Sequence, residues 1–225
     1  RFNASFDLIP RTLTLSGGYG ITSKMPTLLY LYPEKAYFEY VNINELANES
    51  IPKNERLFMT TTKVYDTSNE NLKVAKNHKA EIGLRLNIGK VSASVTAFQE
   101  RLKNGYSLDN TFSSFNSFSY KEYTRNENGD LVLASNLPVL NSYYTPTNNM
   151  NVNTQGIEFD VNVGRIDAIR TSFQLNGAWM RTQSWNNGYD FYDNSGTSAS
   201  SRTPVAIYEA GAVKSYRQQL ATTLR

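Results

Sequence analysis

Few residues in this chain have the type and spacing for chemistry. One histidine, His78, and no cysteine occur among the 225 residues. That removes disulfides, thiol nucleophiles and every metal motif built on thiolates or on two imidazoles. Glu158 and Asp160 stand two apart, which on a strand puts both carboxylates on one face; the spacing fits the paired acids of a hydrolase only weakly. Ser16-Gly17-Gly18-Tyr19-Gly20 has the glycine density of a phosphate cradle. It lacks the Gly-Lys-Ser/Thr or the following helical pattern that such a cradle needs, and reads instead as strand glycines that admit a close neighbour. No catalytic constellation, no metal set and no cofactor site emerges, so the chain is not expected to be an enzyme.

The better candidates are aromatic. Amphipathic rings stack on sugars and other cargo, and here they concentrate between the regularly patterned segments: Tyr37, Phe38 and Tyr40, then Phe112, Phe115, Phe118, Tyr120 and Tyr123, then Tyr143 and Tyr144, then Trp185, Tyr189, Phe191 and Tyr192. Tyr37, Tyr40, Tyr143, Tyr144, Trp185 and Tyr189 are the candidate substrate contacts. The competing role for the same rings is to pack the loops together or to form the aromatic girdle that flanks a lipid band.

Strict alternation defines the elements that must carry these rings. From His78 to Ile88 the even positions read Ala80, Ile82, Leu84, Leu86 and Ile88, while the odd ones read Lys79, Glu81, Gly83, Arg85 and Asn87. That is a strand with one apolar and one charged face. Gly89-Lys90 interrupts it, and Val91, Ala93, Val95 and Ala97 then alternate with Ser92, Ser94 and Thr96, which makes a tight hairpin. Ile157, Phe159, Val161 and Val163 repeat the figure. So do Ile169, Thr171, Phe173, Leu175, Gly177 and Trp179 after a turn at 165–167, as do Phe2, Ala4, Phe6 and Leu8 before Pro10 and Leu13, Leu15, Gly17, Tyr19 and Ile21 after it. The charged faces carry Lys79, Glu81, Arg85, Glu158, Asp160 and Arg170.

About seven strands result, at 2–9, 11–22, 76–88, 90–103, 155–164, 168–183 and 206–225. Between the hairpins lie long polar connections, 23–75, 104–154 and 184–204, the middle one with its own hairpin signal around Asn128-Gly129. Loops this long are foreign to a compact soluble domain. Short turns alternating with long loops are the asymmetry of an outer-membrane barrel, whose periplasmic turns are short and whose extracellular loops are long. A net charge of +3, with basic residues scattered, gives no footprint for a nucleic-acid partner. The chain contains no apolar run long enough for a transmembrane helix, and alternating strands cross lipid without one.

Seven strands are odd in number and few, so the expectation is an arc cut from a larger antiparallel transmembrane β-barrel, with residues 1–225 as part of one barrel domain. Arg1 at the start, with no Met and no signal segment, fits a processed or truncated beginning. A soluble β-sandwich module that binds a ligand such as carbohydrate is the alternative; it predicts short loops at both ends of the strands.

Certain residues resemble a known family. Leu15-Ser16-Gly17-Gly18-Tyr19-Gly20 followed by Lys24-Met25-Pro26-Thr27 and Leu31-Tyr32-Pro33 is similar to a strand-and-loop segment of TonB-dependent outer-membrane receptors. Asn71-Leu72-Lys73 ahead of Glu81-Ile82-Gly83 resembles the family's Asn-x-x-Leu-Lys-Pro pattern before a Glu-x-Gly strand, with Val74 in place of the Pro. Phe98 with Gly105-Tyr106, and Asn153 with Gly156-Ile157-Glu158, fit the next two strands in order. The Asn-rich and Tyr-rich style resembles receptors of Bacteroidetes-type bacteria, some of which pair with a surface lipoprotein. The resemblance implies a barrel of about 22 strands in the bacterial outer membrane, contact with lipid, a plug domain, and energy from an inner-membrane TonB complex. It implies uptake of a nutrient, whether oligosaccharide, peptide, siderophore or cobalamin.

Overall fold

The computed structural model of the chain describes residues 1–193 and 205–224. The strands are β1 (Phe2–Ile9), β2 (Leu13–Lys24), β3 (Ala36–Asn44) and β4 (Phe58–Tyr65), then β5 (Ala75–Ile88), β6 (Val91–Asp109), β7 (Phe115–Arg125), β8 (Leu131–Ser142) and β9 (Thr145–Ile166). The last four are β10 (Thr171–Asn186), β11 (Tyr189–Asp193), β12 (Val205–Glu209) and β13 (Ala212–Leu224). One short helix, Leu28–Leu31, lies between β2 and β3.

Seven strands make one antiparallel sheet in the order β1-β2-β5-β6-β9-β10-β13. The expected alternation survives across all of them. Phe6, Leu15, Leu84, Val95, Phe159, Gly177 and Leu220 stand opposite one another in a row. The adjacent row, on the other face, is Ser5, Ser16, Gly83, Thr96, Glu158, Ala178 and Gln219. The apolar face meets no second layer: Phe6 is 66% exposed and Ile82 57%. Among the described residues the buried apolar side chains are Ile43, Ala75, Tyr106 and Pro146, all outside that band. A sandwich would cover this face with a second sheet. Among the described residues nothing covers this face.

The turns at one end are short. Gly89, at φ +56, takes the first central position of a two-residue turn between Ile88 and Val91, where the primed geometry that matches strand twist requires positive φ. Arg11 and Arg170 adopt the left-handed region in the other two. Arg170 therefore sits in the turn before β10, not on the charged face of the strand as the sequence pattern suggested.

At the other end the long connections are themselves paired. Separate two-stranded sheets form from β3 with β4, β7 with β8, and β11 with β12. Only the second of these had a turn signal in the sequence. β6 and β9 also run far past their expected ends, to Asp109 and back to Thr145. The strand expected over 206–225 is two strands: Ala210 and Gly211 separate β12, which belongs to a loop hairpin, from β13, which belongs to the main sheet. The expected loop 184–204 gives up Ser184 to Asn186 to β10, and its residues 194–204 lie outside the described residues.

Candidate ligand-binding loops

Above the long-loop ends of the main strands, Tyr106 ties the base of the first loop to the sheet. Its hydroxyl accepts the Ala75 N–H at 3.1 Å and lies 2.9 Å from the carbonyls of both Lys24 and Lys73. Its ring packs 5.3 Å from Tyr30. Asn148 of β9 adds a second tie, donating to the Lys73 and Asn104 carbonyls at 2.8 Å each and accepting the Lys73 N–H. Asn104 has φ +56 at the bulge where β6 continues past the last rows of the membrane pattern.

The first and second loop hairpins then join into one unit. Tyr40 of β3 stacks on Tyr120 of β7 at 4.8 Å and lies 5.7 Å from Phe118. Tyr65 of β4 stacks on Tyr143 at 5.3 Å and meets Phe38 edge-on. Buried Asn141 links the two stacks: its Oδ1 accepts the Tyr40 hydroxyl and its Nδ2 donates to the Tyr65 oxygen at 3.0 Å. Asn42 of β3 donates to the Lys121 carbonyl at 2.6 Å. Lys63 lies 5.2 Å over the Phe118 ring, within cation–π range.

An ion pair between half-buried Arg125 and buried Glu45 closes the far end of this unit. Arg125 donates to both Glu45 oxygens, at 2.8 and 3.1 Å, and to the Glu55 carbonyl at 2.9 Å. The Arg125 guanidinium holds the Glu45 carboxyl below its ordinary value, and Glu45 raises the guanidinium in turn. Burial pushes the Tyr40 and Tyr120 phenols up, Tyr120 with help from Glu122. Both phenols are therefore neutral hydrogen-bonding rings at physiological pH.

The third hairpin touches the second through Phe191, whose ring lies 5.0 Å from Phe112 and 5.2 Å from Phe115. Tyr189 meets Phe112 edge-on at 6.2 Å. Of the six candidate contacts, the structure thus brings Tyr40 and Tyr143 into one cluster and places Tyr189 in a second. Tyr37 points away from the first cluster and is 66% exposed. Tyr144 is exposed beside a cleft of about 530 Å3 that Leu28, Leu29 and Tyr32 also line. Trp185 lies in β10 opposite Asn151 and Ala212, apart from both clusters.

Sequence reading missed Tyr65, Asn141, Lys63 and the Glu45–Arg125 pair. The alternation of Thr60, Thr62 and Val64 with Thr61, Lys63 and Tyr65 was the available signal for β4. Glu158 and Asp160 stay on the charged face, opposite Thr96 and Ser94 of β6. Asp160 accepts a hydrogen bond from Gln174 at 2.9 Å. Among the described residues no three His, Asp or Glu side chains gather as metal ligands. The arrangement offers ring faces, phenols and amides to a ligand.

One antiparallel sheet, apolar outside and charged inside, with tight turns at one end and long paired loops at the other, defines a wall segment of an outer-membrane type of β-barrel. The family model "TonB dependent receptor-like, beta-barrel" matches residues 1–216, and the chain belongs to that family. It is a family of outer-membrane transporters and receptors that work with TonB and carry a plug domain. No curated protein matches the chain. Among solved structures, the siderophore receptor PirA from Acinetobacter baumannii aligns with 94% of this chain at 14% identity and a TM-score of 0.42. The chain spans 33% of that receptor's length.

Proposed function

We propose that this chain supplies barrel wall and extracellular loops to a transporter of the bacterial outer membrane that takes up a scarce nutrient with energy delivered through TonB. The loops capture cargo, the plug rearranges when pulled from the periplasmic side, and the paired strands keep the wall rigid. The observation that carries this reading is the cross-loop cluster of Tyr40, Tyr120, Phe118, Tyr65 and Tyr143 on the long-loop side of the sheet. Two loops that share one aromatic surface respond together when a ligand stacks on it. Tyr144 and Tyr189 add exposed rings beside the cluster, Tyr37 presents its exposed ring on the opposite face of β3, and Trp185 stands near the rim. The cargo classes open to such a surface are oligosaccharide, peptide, siderophore and cobalamin. The partners in this reading are the plug, the TonB complex, outer-membrane lipid and a surface lipoprotein that covers the loops.

The test uses the full-length protein. Fractionation should place it in the outer membrane, and titration of one representative of each cargo class should quench its loop fluorescence for one class only. Tyr37→Ala and Tyr144→Ala, both on exposed side chains, should weaken that binding while barrel folding is unchanged. Recovery in the soluble fraction, or binding indifferent to both substitutions, would overturn the reading.

A further inference from the structure

On the apolar face of β5 and β6 the row that ends the apolar band is Ile82 opposite Ala97. Beyond the Ala80–Gln99 row, towards the long loops, His78 stands directly opposite Arg101, and the next row sets Lys76 directly opposite Lys103. The period-two alternation puts all four on the face that carries Ile82, Leu84, Val95 and Ala97. Arg101, Lys76 and Lys103 are exposed.

Like charges directly opposite each other destabilise a sheet, because their β-carbons are only about 5 Å apart. On the charged face the chain avoids this cost: Lys79 lies 3.4 Å from Glu81 and 3.5 Å from Glu100, and Arg1 lies 3.2 Å from Glu81. On the outward face of β5 and β6, from Ile88 back to Lys76 and from Val91 on to Lys103, no Asp or Glu stands at a paired position. Among the described residues none of Lys76, His78, Arg101 and Lys103 forms an ion pair. Arg181 and Lys214 continue the positive charge on the outward face of β10 and β13. Tyr19, bonded to His78 Nδ1 at 2.7 Å, and Trp179 mark the border with the apolar band, where interfacial aromatics belong.

We propose that these two opposed pairs, Lys76 with Lys103 and His78 with Arg101, bind the phosphate groups of an anionic lipid in the outward leaflet, whose acyl chains lie along the Ile82–Leu84–Val95–Ala97 surface. The inference rests on the reading of the strands as spanning the outer membrane with the long loops outside. Its chemistry is that of a phosphate held between two pairs of donors at the height where the headgroup meets the band. The same phosphate chemistry in a free anion lacks the acyl contribution.

The experiment uses the full-length receptor extracted from outer membranes, with phosphorylated lipid A, phosphate-free lipid A and inorganic phosphate as probes, read by native mass spectrometry. Phosphorylated lipid A should bind and survive delipidation, and the Lys76→Gln/Lys103→Gln pair should weaken it about 25-fold, roughly fivefold for each cation removed. Lys90→Gln, at the short-turn end of the sheet, should leave it unchanged. Equal binding of phosphate-free lipid A, equal competition by inorganic phosphate, or full retention by the Lys76→Gln/Lys103→Gln receptor would overturn the proposal. Heat-modifiable migration of the same preparation reports the barrel separately. Loss of that signature counts against the membrane reading, whereas its presence without lipid counts against the lipid site alone.

Discussion

Phe98 lays its ring over Gly156, its directly paired neighbour across β6 and β9. A β-carbon on residue 156 would stand 3.0 Å from the ring and 2.6 Å from the Trp179 carbonyl oxygen in β10. The ring could turn aside, but the backbone of β10 could do so only by breaking its pairing. Gly156→Ala should therefore cost about 1–3 kcal/mol, read as a lowered urea midpoint of the full-length barrel. Gly17→Ala supplies the control. The nearest atom to its β-carbon is the Glu81 carbonyl at 3.6 Å, an ordinary contact, so the change should stay within about 0.5 kcal/mol. Equal effects at the two positions would show that close approach is not what residue 156 provides.

Asn141 joins the two aromatic stacks at a point where water has little access. Asn141→Leu leaves the Tyr40 and Tyr65 hydroxyls half-buried and without that partner, at about 1–3 kcal/mol of loop docking. Hydrogen exchange in β3, β4, β7 and β8 should accelerate while the seven-stranded sheet keeps its protection. Uniform protection in the variant would mean that the stacks hold the loops without it.

The Glu45–Arg125 pair makes the same loop unit sensitive to acid, and the sign follows from the direction of the shift. Glu45 has a folded value below its ordinary 4.5 because Arg125 bonds its charged form. Its contribution is complete above that ordinary value and is lost as pH falls through the depressed folded value. Loop protection should thus hold from neutrality down to the carboxylate range and fail below it. Glu45→Gln should lower protection at neutral pH and flatten its change with acid. A Gln variant with an unaltered acid profile would assign the transition to another group, such as Asp66, whose carboxyl the Ser68 N–H also holds low.

The legible part of this fold is the apolar band of the seven-stranded sheet. The tight turns and the strand ends beside them fall within three residues of their expected positions, because apolar Leu84 next to charged Arg85 is a contrast the sequence displays. Past the band both strand faces meet water, and the contrast vanishes. Thr145-Pro146-Thr147-Asn148-Asn149 reads as loop and is strand β9. The same loss hid β3, β4 and β11 and ran β12 together with β13, and it hid Tyr65, whose partner Tyr143 was a candidate on residue type alone. Arg170 was misplaced for a different reason: alternation carries on through a turn, and only the backbone shows that φ there is +53.

An arc of this kind also has a predictable behaviour on its own. Among the described residues β1 pairs only with β2, and β13 only with β10, so each offers an unpaired row of backbone groups. Exposed Phe2, Phe6, Ile82, Ile88 and Leu220 add a continuous apolar surface between those edges. Edges of this length template pairing with other chains, and an apolar face this wide drives association in water. Residues 1–225 expressed without the rest of the barrel should therefore be insoluble or aggregated without detergent. Sedimentation velocity checks it: a monodisperse monomer that melts cooperatively in plain buffer would mean that the apolar face has a protein partner within this chain, and the lipid assignment would fall with it.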